Sequence, residues 1–156
     1  MKPSNIQILI LRLVIGGLFL SIGMEKFHDG WLTDSTHLAQ SLAGYHQNAT
    51  GWHLTYLNYV AIPYPDIWAK LMTIGELAVA ASLILGLLVR LSSFMAIIML
   101  LNFHAANGNL YSLSFFGSPW AALLIAGFLI LLVARAGRWA GIDGLLSKSK
   151  PKGIFW

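Results

Sequence analysis

Among the ionisable side chains within or near the ends of long apolar runs in this chain are Arg12, Glu25, Lys26, Lys70, Glu76 and His104. An ionisable group at membrane depth is a functional-site candidate, because it is costly there unless paired or put to use. Glu76 is the most telling, lying near the middle of the run from Trp68 to Val89. It stands 14 residues before Arg90, and His104 stands 13 residues after Leu91. At about 1.5 Å of helical rise per residue, both fall roughly 20 Å from a shared turn. A carboxylate and an imidazole at one depth can share a hydrogen bond or a proton, and a charged pair costs far less in hydrocarbon than either ion alone. The competing structural role for Glu76 is a protonated or paired glutamate that fixes helix register. His104 also has the chemistry of an axial ligand to haem iron or chlorophyll magnesium.

Glu25, Lys26 and Lys70 fall near the far ends of the first two runs, where a carboxylate is flanked by two ammonium groups. They read either as a solvated interfacial cluster or as the mouth of a polar cavity leading inward to Glu76. Arg12 enters about 9 Å from the near end of the first run, and can snorkel to the headgroups or turn inward. Arg12, Glu25, Lys26, Lys70, Glu76 and His104 are therefore the candidate lining of one polar cavity. His28, His37, His46 and His53 show no ligand spacing, so no metal site is expected.

The elements that must position these groups follow from hydropathy. With 57% hydrophobic and 10% charged residues and a mean hydropathy of +0.70, the 156-residue chain lies outside the range of an ordinary soluble domain. Four runs, at about 6–27, 68–89, 91–106 and 119–134, predict an all-α integral membrane four-helix bundle forming a single domain over 1–156. The few residues around Arg90, Leu91 and Ser92 make the second and third helices antiparallel neighbours, and Pro119 suits the first position of the fourth. Small residues on helix one (Gly16, Gly17, Ser21) and helix two (Ala78, Ser82, Gly86) predict close approach. Residues 28–66, rich in turn formers, read as one long loop, within which Thr36 to His46 has the spacing of an amphipathic surface helix.

Charge orients the bundle. Lys2, Arg90, Arg135, Arg138, Lys148, Lys150 and Lys152 fall on one side and only Lys26 and Lys70 near the other, so both termini are expected in the cytoplasm and the 28–66 loop outside. The basic residues flank apolar runs rather than forming a solvated basic face, so nucleic acid is not an expected partner, whereas membrane lipids and other membrane-protein subunits are. The first run is too long for a signal peptide and no small-x-small cleavage site follows it, so it is expected to be retained. The chain has no cysteine, which excludes a disulfide and thiolate chemistry of its own. No flavin, haem or dinucleotide motif is present, so catalysis by the isolated chain is not expected.

Leu11-Arg12-Leu13 with Gly16 and Gly17, then Gly23-Met24-Glu25-Lys26-Phe27, resembles the first helix of the DoxX/DoxD family. Gly75-Glu76-Leu77 and Leu85-Gly86-Leu87-Leu88-Val89-Arg90-Leu91 resemble that family's second helix and tight turn. The resemblance implies a small four-helix protein of a bacterial or archaeal cytoplasmic membrane, in some members a subunit of a thiosulfate:quinone oxidoreductase or of a membrane-associated redox-stress complex. Arg12, Lys26 and Glu76 match the family's recurrent polar positions. Two functions follow as expectations: a membrane subunit of a quinone-linked redox complex, or a non-catalytic accessory subunit of a respiratory or photosynthetic assembly that contacts partner subunits, lipids or pigments. The first implies a quinone; the second leaves room for chlorophyll or haem at His104.

Overall fold

The computed structural model describes residues 3–109, 119–138 and 140–149. Helix α1 (Pro3–His28) leads into α2 (Thr36–Gln47) and α3 (Gly51–Tyr56), the last continuing as one π-helical turn, Leu57–Ala61. Then come α4 (Pro65–Leu85), α5 (Val89–Ala106), α6 (Pro119–Val133) and, after a 3-10 turn at Ala136–Arg138, α7 (Ile142–Ser149). Helices α1, α4 and α5 are long and apolar enough to cross a membrane. Helix α6, with 15 residues, reaches only about 22 Å, short of a hydrocarbon core of roughly 30 Å. Residues 110–118, which precede it and fall in the expected third loop, lie outside the described set.

Why α4 stops where it does is local. It opens on Pro65, whose missing N–H costs nothing there, and closes at Gly86, which adopts φ 67° and donates its N–H to the Ser82 carbonyl. The N–H of Leu87 reaches the same carbonyl at 3.0 Å, so the chain reverses at once and α5 begins at Val89. The helix therefore ends at Leu85, four residues earlier than hydropathy alone suggests, because Leu87 and Leu88 are apolar but belong to the turn.

Helices α1 and α4 run antiparallel in close contact. A Cβ added at Gly16 would lie 3.1 Å from the Leu83 side chain, and one at Gly23 would lie 2.9 Å from Leu77. Gly17, by contrast, faces open space and Ala78 is exposed, so only part of the small-residue pattern serves this interface. The core beneath comprises Ile15, Phe19, Val79, Leu83, Val89, Ala96, Phe128 and Leu131, with Phe19 and Phe128 meeting edge to face at 5.2 Å. Outward, Ile10, Val14, Leu71, Ile74, Phe94 and Ile98 are all exposed. So continuous an apolar surface is a lipid-facing one, and the protein is an integral membrane protein.

The register of α1 on α4 has a further result. Continued past Gly23, it brings His28 opposite Met72, so the seven residues Pro65–Leu71 of α4, about 10 Å, stand beyond the end of α1. Helix α5 shares this overhang, since Gly75 meets Met99 and α5 runs on to Ala106. The segment expected as a loop fills the step, and it is largely helical. Leu42 of α2 and Leu57 and Ala61 of the π turn form a buried cluster of their own, joined by Leu38, Tyr45 and Tyr56. Helical spacing of these apolar residues outweighs the turn formers, which act at single points: Gly30 at φ 77° and Gly51 at φ 57°.

Candidate functional site

Lys26 and Glu76 form a partly buried ion pair, Lys26 Nζ donating to Glu76 Oε1. Backbone geometry explains the meeting. The register leaves their Cα atoms offset by about two residues along the axis, roughly 3 Å. Side chains on a helix lean toward its N-terminus, so on antiparallel helices Lys26 leans back into the bundle and Glu76 leans toward it. Glu76 is 8% exposed, and its second oxygen, Oε2, is buried without a hydrogen-bond partner.

Above the pair lies a cavity of about 110 Å³. Lys26 lines it, as do Trp31 beyond the end of α1, Leu42 and Tyr45 of α2, Trp68 and Met72 of α4, and Asn102 and Phe103 of α5. It occupies the step left where α4 and α5 outrun α1. The Lys26 ammonium stands 5.4 Å from the Trp31 ring centre, close enough for a cation–π attraction. Polar bonds fasten the roof: Tyr56 Oη donates to Asn102 Oδ1 at 2.6 Å, the His53 Nε2–H to the Ala106 carbonyl at 2.8 Å, and Trp68 Nε1 to the Val60 carbonyl at 2.9 Å. Burial pushes the Tyr56 phenol above its usual range, which keeps it a neutral donor.

The six expected cavity residues separate into four groups. Lys26 and Glu76 are brought together. Glu25 and Lys70 are exposed, and neither lines the cavity. His104 is buried on α5, yet no hydrogen bond joins it to Glu76. The depth match fails because α4 ends before Arg90: Met99 sits at the level of Gly75, and His104 lies five residues further on, about 7.5 Å toward the roof. Asn102, Phe103 and Ala106 line the cavity, and His104 does not. Among the described residues no three of His, Asp and Glu converge as a metal-binding group.

Arg12 belongs to another structure altogether. It lies 14 residues from Lys26 on α1, about 21 Å along the axis, and is 1% exposed. Its Nη1 donates to the Ala136 carbonyl at 3.0 Å and Nη2 to Ala140 at 3.1 Å, so it turns inward rather than snorkelling. Asp143 acts on it electrostatically and accepts the N–H groups of Leu88 and Val89 at 2.7 and 3.1 Å, capping α5 from a distant segment. The sequence reading missed Asp143; the available signal was a lone acid between glycines, Gly141-Ile142-Asp143-Gly144, inside an otherwise basic tail. Tyr56, Trp31 and Trp68 were missed for a different reason, since only the overhang reveals which aromatics share a cavity.

Long apolar helices around a partly buried ion pair, roofed by short helices, define a small helical integral membrane protein. A family model described as DoxX matches residues 7–106, and the chain belongs to the DoxX family. No curated protein and no solved structure matches the chain. The matched span contains every described residue lining the cavity, while α6, α7 and Asp143 lie beyond it.

Proposed function

We propose that this protein is the membrane subunit of a quinone-linked redox complex, and that the cavity above Lys26 receives a quinone ring. The observation that carries the reading is an ammonium group, held by a buried carboxylate, at the wall of an aromatic cavity of single-ring size. An apolar cavity of roughly 150 Å³ takes up benzene, so 110 Å³ suits one ring with slight adjustment and is far too small for a tetrapyrrole. Lys26 is a hydrogen-bond donor to an oxygen that gains negative charge on reduction, and Glu76 holds that ammonium in position. Trp31, Trp68 and Phe103 provide faces for the ring. Membership of the DoxX family supports the redox setting.

In this reading the chain is one membrane domain, and α6 belongs to its fourth crossing. The lysine and arginine distribution supports a cytoplasmic position for both termini, with the roof outside. Electron-transfer cofactors belong to partner subunits. Glu76→Gln in the assembled complex, with quinone reduction as the readout, tests the proposal: a fall of about tenfold or more is expected. Unchanged turnover with normal assembly would overturn it in favour of a non-catalytic accessory subunit.

A further inference from the structure

A second pocket, of about 370 Å³, lies on the roof where the end of α2, the start of α3 and the end of α5 meet. That size is in the range of pockets that hold small ligands. Its walls are mainly polar, built from Tyr45, Asn48, Thr50, Trp52, His53 and Asn107, and the exposed Asn48, Thr50 and Trp52 leave it open to the outside. Part of its hydrogen-bonding capacity is unspent. Thr50 holds the N-cap position of α3, yet its hydroxyl makes no capping bond. Asn107 Oδ1 is buried without a hydrogen-bond partner, so no bond to that oxygen holds the amide against turning toward a ligand. At the far wall Gly108 takes φ 73°, and a Cβ there would lie 2.7 Å from His53 Nδ1, so a glycine is what keeps this end clear.

Charge decides the class of ligand. Among the described residues no Asp, Glu, Lys or Arg lines the pocket, so neither an anion nor a cation would find its counter-charge there. Amide and hydroxyl side chains both donate and accept, as the hydroxyl groups of a ligand do. The Trp52 and Tyr45 rings add apolar faces beside them. We infer that this pocket binds a neutral polyhydroxylated ligand, a single sugar ring, with Asn48, Thr50 and Asn107 bonding its hydroxyls and Trp52 covering its apolar face. The inference stands independently of the quinone reading. A free monosaccharide and the sugar headgroup of a glycolipid offer the same chemistry to the site.

Saturation-transfer NMR on the full-length chain in lipid nanodiscs tests the site, with glucose, galactose, mannose and N-acetylglucosamine as free probes. In the glycolipid arm, thermal unfolding is compared in nanodiscs carrying monogalactosyl diacylglycerol and in nanodiscs carrying diacylglycerol alone. Saturable binding of a free sugar, or stabilisation by the glycolipid, is expected, and which arm responds identifies the source. Asn107→Leu and Asn48→Ala should each weaken that response by about fivefold, the worth of one hydrogen bond, while leaving the ligand-free unfolding midpoint in place. Because Asn48 is exposed, its variant keeps the test decisive even where Asn107→Leu disturbs the fold. No response in either arm, or an unchanged response in Asn48→Ala and in a folded Asn107→Leu, overturns the proposal. So does tighter binding of phosphate or choline than of any sugar.

Discussion

The two ends of α1 each bury a cation, and they do so in opposite ways. At the Arg12 end the guanidinium is enclosed by backbone carbonyls and an aspartate, and glycines bring chain segments within van der Waals reach: a Cβ at Gly86 would lie 2.5 Å from Gly141 Cα. At the Lys26 end the ammonium has one carboxylate and otherwise faces aromatic walls with space between them. The first arrangement is a closely packed joint that holds both Nη atoms of Arg12; the second has open space beside its charge. A buried charge alone therefore does not mark a binding site. The feature peculiar to the Lys26 end is a charge beside unfilled space.

The contrast is sharpest in stability. Asp143→Ala strips two α5 amides of their acceptor and leaves Arg12 buried without its anion, so a loss of about 3–5 kcal/mol is expected in thermal or denaturant unfolding in detergent. The same joint holds Leu88, Arg135 and Ala140 at φ near 50°, a conformation that persists only where neighbours impose it. Gly86→Ala adds strain at φ 67° and a clash with Gly141, and should cost about 2 kcal/mol with little effect on quinone binding. A protein that tolerates either change unaltered would erase the difference between the two ends.

At the Lys26 end the expectation reverses. Replacing the pair together, Lys26→Met with Glu76→Met, should change stability by no more than about 1 kcal/mol, because an apolar pair of similar volume is often as stable as a buried ion pair. Quinone affinity should fall strongly. Tyr56→Phe removes one roof bond and should cost about 1 kcal/mol. Its pH dependence has a definite sign: the folded phenol titrates above the unfolded value of about 10, so its contribution is present below that pH and is lost as pH rises through the folded value. Difference absorption at alkaline pH, parent against Tyr56→Phe, should reveal one late-titrating tyrosine. Smallest of all is Asp34, fully exposed and held below the usual carboxylate range by hydrogen bonds from Thr36. Its contribution exists above the unfolded carboxylate pKa and disappears as pH falls through the folded one; Asp34→Asn should flatten a weak acid-limb dependence and nothing more.

The long membrane-capable helices were legible because hydropathy and length are local properties of α1, α4 and α5. The burial of Glu76 was legible for the same reason, an acid amid apolar neighbours. Its partner was not. Depth counted from Arg90 ignored Leu87 and Leu88, which hydropathy assigns to a helix and Gly86 assigns to a turn, and that error shifted α4 against α5 enough to favour His104. Counting Cα positions also left out side-chain lean, which draws Lys26 and Glu76 together across the helix interface. The roof was hidden by its own composition: glycines, prolines and asparagines look like a loop, while Leu38, Leu42, Leu57 and Ala61, spaced for helix, carry the packing. Asp143 joins residues more than 50 positions apart, a contact no short window contains.

The inward lean of Lys26 makes the last turn of α1 intolerant of changes in length. One residue inserted between Gly23 and Lys26 would rotate the ammonium by about 100° around the helix, from the α4 interface toward lipid, while Gly23 kept its seat against Leu77. Point substitutions along the lipid face of α1 should be freely exchanged, yet a single-codon insertion in this short stretch would separate Lys26 from Glu76 without disturbing any residue of the core.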